Sequence, residues 1–142
     1  MPSDYNAPLG IVTATVSGSV TATVTTGNGS TGTYADFLTT PGSPRGGYVL
    51  RMRYPNFSAA TPGVTFQAEV LQGTSSTSFQ QICGQGNVYT PTTATSGSTS
   101  WAEEEIPFIL TQRYAEVVIT FSGTTGVPTL TFAGELVGEF PA

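Results

Sequence analysis

The sequence predicts an all-β domain: an antiparallel β-sandwich, jelly-roll-like, with about eight strands. Three observations predict it. Apolar and polar residues alternate with a period of two in four separate runs, which puts one face of each run in a core and the other outward. β-Branched and aromatic residues, which fit a pleated half-buried surface, fill those runs. Clusters of Gly, Pro and Asn stand between the runs as turn signals.

Residues 1–10, with Pro2 and Pro8, read as an extended N-terminal arm, free alone and ordered on a partner. Residues 11–142 read as a single sandwich domain. Ile11 to Thr26 is a Val/Thr/Ala repeat broken at Gly18, able to pair in more than one register. Gly27–Asn28–Gly29 and Thr40–Pro41–Gly42–Ser43–Pro44 are turns. In the next strand Tyr48, Leu50, Met52 and Tyr54 face the core and Val49, Arg51 and Arg53 face away. Thr61–Pro62–Gly63 leads into a strand with Val64, Phe66, Ala68 and Val70 inward. Gly73 to Ser78 reads as a hairpin loop before Phe79. Gly84 to Gly97, opening with the turn Gly84–Gln85–Gly86, reads as a long loop.

Ser100 and Glu103 have capping-box spacing for a helix over Ser100 to Leu110. Pro107 limits any such helix to a turn or two, so an extended strand fits slightly better. Ala115, Val117, Ile119 and Phe121 line a further strand, Ser122 to Gly126 turns the chain, and Leu130, Phe132, Gly134 and Leu136 line the last.

Charged residues make up only 9% of the 142-residue chain, against roughly 25% in an ordinary domain. Its 38 Ser and Thr must supply most of the polar surface. Four Arg, no Lys and a net charge of −5 cannot build the basic track that phosphate backbones require. Nucleic acid and anionic membrane surfaces are therefore not expected partners. No apolar stretch approaches the ~20 residues of a spanning helix, and Met1 to Gly10 lacks the basic start of a signal peptide.

The absence of His excludes Ser–His and Cys–His nucleophile systems. Without Lys there is no Schiff base or P-loop, and one Cys without His makes no zinc site. No enzyme activity, cofactor or metal is expected. Glu103, Glu104 and Glu105 form the one acidic cluster. They read as a solvated rim or as partners for Arg rather than as a hydrolase pair or calcium ligands, because adjacent residues of a strand point to opposite faces. Arg51 and Arg53 either meet acidic groups of a partner or pair within the chain with Glu69 or Glu116. Trp101 with Tyr89 is a packing pair or a sugar-stacking platform, and Cys83 a small buried hydrophobe.

The run Ile106–Pro107–Phe108–Ile109–Leu110–Thr111–Gln112–Arg113–Tyr114 precedes the strand Ala115 to Phe121. The turn Ser122–Gly123–Thr124–Thr125 and a last strand ending in Ala133–Gly134–Glu135–Leu136–Val137 follow. Together with Phe66–Gln67–Ala68–Glu69–Val70, the Ser/Thr hairpin and Phe79, this resembles the small jelly-roll cement, or capsid-decoration, proteins of tailed bacteriophages. The likeness spans roughly residues 47–138; the Thr/Val opening and the Gly84 to Gly97 loop depart from the pattern. The resemblance implies a trimeric structural protein on the virion surface, assembled in the host cytoplasm, that binds the major capsid protein and bridges neighbouring subunits. Tyr5, Asn6 and Leu9 of the arm, Arg51 and Arg53, and Tyr89 and Trp101 are the expected partner-binding residues. A carbohydrate-binding or adhesin module is the alternative for the same fold class.

Overall fold

The computed structural model describes residues 6–14, 18–25, 31–37, 47–58, 65–89, 102–122 and 129–138. Eleven strands run through them: β1 (Asn6–Ala14), β2 (Gly18–Thr21), β3 (Val24–Thr25), β4 (Thr31–Gly32), β5 (Ala35–Asp36), β6 (Gly47–Ser58), β7 (Thr65–Gly73), β8 (Gln81–Gln85), β9 (Ala102–Ile109), β10 (Tyr114–Ser122) and β11 (Thr129–Gly138). Every pairing is antiparallel.

Sheet 1 has the order β4-β3-β1-β11-β6-β9, and sheet 2 the order β2-β10-β7-β8 with β5 also on β10. Eight of the strands have four or more residues. They alternate between the sheets as β1-β11-β6-β9 over β2-β10-β7-β8, the interleaved Greek keys of a jelly roll. The expected antiparallel sandwich is what the chain forms.

The alternation read from the sequence sets the core. Tyr48, Leu50, Met52 and Tyr54 of β6 are buried, as are Phe66, Ala68 and Val70 of β7. Ala115, Val117, Ile119 and Phe121 of β10 and Leu130, Phe132 and Leu136 of β11 complete the set. Each large side chain so buried contributes roughly 1.5–3 kcal/mol of transfer free energy. An aromatic contact ties the two layers together, Tyr54 of β6 meeting Phe66 of β7 edge-on at 4.9 Å, and within sheet 1 Tyr48 stacks on its cross-strand neighbour Phe108 at 5.7 Å.

Prolines fall where strands tolerate them. The register of β6 against β11 slips between Thr131 and Ala133, so Tyr54 and Pro55 together face the single Phe132. Pro55 therefore sits in a bulge, where its missing N–H breaks no ladder bond. Pro107 lies on β9, at the end of sheet 1.

Three local expectations are revised. The Val/Thr/Ala repeat does not slide within one sheet. It crosses twice, giving β1 to sheet 1, β2 to sheet 2 and β3 back to sheet 1, with Gly18 at the start of β2. Of the expected arm 1–10, residues 1–5 lie outside the described residues and Asn6–Gly10 run as the start of β1 against β11. Within Ser100 to Leu110, Ala102–Ile109 forms strand β9, the extended alternative that fitted better. Gly84 and Gln85 end strand β8 instead of making a turn, because Gly84 pairs with Val70 and Gln85 with Glu69.

The Gly73 to Ser78 hairpin is as expected. A Cβ on Gly73 would overlap the Ser78 carbonyl, so only glycine admits this turn.

Candidate functional site

Among the described residues, the sandwich presents two outer faces and a flank where β8 and β9 end the sheets. The register across β11, β6 and β9 aligns Glu135, Arg51 and Glu105 in one row, and Ala133, Arg53 and Glu103 in the next. On this outer face of sheet 1, Arg51 Nε donates to Glu105 Oε2 at 3.0 Å, and Arg51 Nη1 lies 3.6 Å from Glu135 Oε1. Arg53 Nε donates to Glu103 Oε1 at 3.2 Å. The expectation that Arg51 and Arg53 pair within the chain with Glu69 or Glu116 is corrected: those two residues lie on β7 and β10 of the other sheet. Glu103 and Glu105 act as the Arg partners expected of them.

Glu104 points the opposite way, as adjacent strand residues must. Tyr54 Oη donates to Glu104 Oε2 at 2.5 Å and the Asn87 backbone N–H donates to Oε1 at 2.9 Å. Glu104 thus links β9 of sheet 1 to the chain leaving β8 of sheet 2. Gly86 makes the approach possible, since a Cβ there would come within 2.6 Å of Glu104 Oε1 and 2.8 Å of Ile106 Cδ1. Burial, then hydrogen bonding to Glu104, pushes the Tyr54 phenol far above its ordinary range.

Gln72 clamps the other end of the seam. It is 2% exposed, the one buried polar side chain among the described residues. Its amide oxygen accepts from the backbone N–H groups of Thr111 at 2.9 Å and Gln112 at 3.2 Å. Its amide nitrogen donates to Gln81 Oε1 at 2.8 Å and Thr111 Oγ1 at 3.1 Å. Thr111 and Gln112 carry the chain from sheet 1 to sheet 2, so one side chain fixes that crossing.

Between these clamps, β8 and β9 lie side by side as the outer strands of the two sheets on one flank. Ile82 of β8 and Ile109 of β9 are 50% and 62% exposed along it. Cys83 is half-buried here rather than fully buried, and burial pushes its thiol up to about 12.

The outer face of sheet 2 differs in kind. Thr65, Gln67, Glu69 and Leu71 of β7 stand beside Glu116, Val118, Thr120 and Ser122 of β10. Gln85 donates to Glu69 at 2.9 Å and Gln67 to the Gly86 carbonyl at 3.0 Å, an amide ladder with little charge. At one end Tyr34 meets Tyr114 edge-on at 5.5 Å and Phe79 at 6.4 Å. The Arg113 guanidinium lies 5.0 Å over the Tyr114 ring and grips Asp36 with two bonds of 2.8 and 2.9 Å.

Of the expected partner-binding residues, Tyr5 and Trp101 lie outside the described residues. Asn6 pairs with Val137 and Leu9 with Gly134, both in the ladder between β1 and β11. Tyr89 is half-buried, stacked on Phe66 at 5.1 Å and edge-on to Tyr54 at 5.4 Å. The Tyr34–Phe79–Tyr114 cluster is not legible in sequence. Its rings come from three distant elements, and no local spacing joins them.

No cluster of His, Cys, Asp and Glu fit for a metal ion occurs among the described residues. No protein-family model matches the chain, and no curated protein matches it. Among solved structures, the Eiger TNF of S. frugiperda is 6% identical with a TM-score of 0.43, covering 100% of this chain and 96% of its own. The CBM22-1–GH10 modules of Clostridium thermocellum xylanase 10B, complexed with xylohexaose, are 15% identical with a TM-score of 0.39, over 99% of this chain. A chain of infectious bursal disease virus, Gx strain, is 16% identical with a TM-score of 0.35, over 96% of this chain. This chain spans only 27% of the xylanase and 29% of the viral chain. The jelly-roll assignment rests on strand order, not on these likenesses.

Proposed function

We propose that this chain is a structural docking module, a capsid-decoration protein that sits on the outside of a shell and bridges its subunits. The observation that carries the docking is the open flank. β8 and β9 end the two sheets side by side, with Ile82 and Ile109 exposed along them. Uncovered strand edges with exposed apolar side chains are aggregation hazards in a free protein, and assembled proteins cover them. The identity of the partner as a major capsid protein comes from the resemblance in residues 47–138, together with a composition unsuited to nucleic acid.

Charge supports docking by shape. Arg51, Arg53 and Arg113 are all engaged by carboxylates of the same chain. Strand side chains are already ordered and lose little entropy when another surface covers them. Trimerisation and the repeat of a lattice multiply a modest affinity per copy through effective concentration.

Two measurements test this. Purified virions of the encoding phage contain the chain in copy numbers that follow the capsid lattice, and the isolated protein has a native mass three times the 14.7 kDa of the chain. Absence from virions overturns the proposal; a monomeric mass removes the trimer alone. A sugar-dependent change in Trp101 fluorescence with no binding to shells would favour a carbohydrate-binding module in its place.

A further inference from the structure

One carboxylate stands apart. Asp36 is held by Arg113, Glu103 by Arg53, and Glu105 and Glu135 by Arg51. Glu104 accepts from Tyr54 and Asn87, and Glu69 from Gln85 and Thr120. Among the described residues Glu116 alone has no ion-pair or hydrogen-bond partner.

Its setting is unusual for a surface carboxylate. On β10 it faces outward between the half-buried Tyr114 and Val118. Across the sheet its direct neighbour is Leu71, and the next is the exposed Ile82. The Tyr34–Phe79–Tyr114 cluster closes this end of the face. Partial burial among these groups raises the Glu116 carboxyl above the usual carboxylate range. The free chain bears this desolvation cost with nothing to offset it.

We propose that the outer face of sheet 2, centred on Glu116, Leu71 and Ile82 and bounded by Tyr34, Phe79 and Tyr114, docks a partner protein that sets an arginine or lysine against Glu116. The assignment rests on the docking reading above and names its surface. Apolar and aromatic side chains at the centre, with neutral amides and hydroxyls such as Gln67, Gln85 and Thr120 around them, have the anatomy of an interface core and rim. Charge selects the occupant. Besides Glu116, the strand face carries Glu69, and among the described residues the cation at its end, Arg113, is committed to Asp36. A second copy applied face to face would oppose carboxylate to carboxylate, an arrangement that suppresses pairing. A cation from a different protein would complete the site.

The test uses empty shells of the major capsid protein encoded in the same genome, with co-sedimentation of the intact chain. Circular dichroism confirms that each variant is folded. Glu116→Gln is expected to weaken binding about tenfold or more, the order seen when one partner of a desolvated ion pair is removed. Glu116→Lys is expected to abolish binding. Glu135→Gln, on the opposite face, is expected to bind like the wild type. Wild-type binding that is unchanged in both Glu116 variants overturns this assignment while leaving decoration of the shell intact. A wild-type chain that binds no shell overturns the docking reading and this surface with it. Equal losses from Glu135→Gln and Glu116→Gln place the contact elsewhere and overturn the assignment.

Discussion

Two sets of polar side chains hold this molecule, and they differ in where they stand. The seam set, Gln72 and Glu104, lies between the sheets: Gln72 answers the backbone of the crossing, and Glu104 answers the buried Tyr54 phenol and the exposed Asn87 N–H. The lattice set, Arg51 and Arg53 with Glu103, Glu105 and Glu135, lies on the outer face of sheet 1. Both make several bonds of similar length. Burial separates them: the bonds of the buried Gln72 and Tyr54 side chains exchange poorly for bonds to water, whereas those of the exposed lattice exchange readily. The lattice therefore shapes the surface, and the seam holds the sandwich shut on the flank where β8 meets β9.

The sharpest break in this comparison is Gln72→Leu. It keeps an apolar shape of similar size but leaves the Thr111 and Gln112 N–H groups without their acceptor. A loss of about 2–3 kcal/mol is expected, read as a lower urea midpoint with an unchanged m-value. A loss below 0.5 kcal/mol would mean that water replaces the amide, and that the seam is wetter than its burial implies (on the order of the lattice, by the usual surface range).

Glu104→Gln comes next, at about 1–2 kcal/mol, since an amide offers one acceptor oxygen where the carboxylate offers two. Tyr54 adds a pH signature. Its folded pKa lies above its unfolded value, so its contribution is fully present below about pH 10 and is lost as pH rises beyond that. Alkaline destabilisation should therefore be weaker in Tyr54→Phe than in the wild type. Cys83, raised in the same way to about 12, should resist iodoacetamide at pH 8 in the folded chain and react in urea.

The lattice lies at the small end. Arg51→Gln removes contacts to Glu105 and Glu135 on side chains that are 49%, 66% and 35% exposed. A cost of about 0.2–1 kcal/mol is expected, shrinking further in 0.5 M salt. A larger, salt-independent loss would move the lattice into the seam's class.

Much of the fold was legible because strand burial is written with a period of two. Tyr48, Leu50, Met52 and Tyr54, and Ala115, Val117, Ile119 and Phe121, are buried as that period requires. Strand order was not legible: which strands pair depends on long-range register, and the Val12–Thr13–Ala14 and Val20–Thr21–Ala22 stretches look alike although they enter different sheets. The seam was also hidden. Glu104 sits within a run of three Glu, and only the pleat distinguishes the one that turns inward. Gln72 follows Leu71 with no local mark of its role as the crossing clamp. The Arg lattice was half legible: the sequence showed the cations and acids, but not that β9 would lie beside β6.

Glu116 belongs to neither set, and this gives the smallest and most discriminating prediction. Its folded pKa is raised, so the stability linked to it is fully present below about pH 4.3, its unfolded value, and is lost as pH rises through the folded one. At pH 7 the free chain is therefore less stable for carrying it. Glu116→Gln should raise the stability of the isolated chain by a few tenths of a kcal/mol at pH 7, and the gain should vanish near pH 3, where both side chains are neutral. The same substitution should weaken docking. A lattice carboxylate such as Glu105 offers no such opposition, because its removal costs the free chain its Arg51 pair. If Glu116→Gln lowers stability at pH 7, the carboxylate has a partner within the chain and no cation is being awaited. Opposite signs for stability and binding at one residue are what an interface charge without an in-chain partner requires.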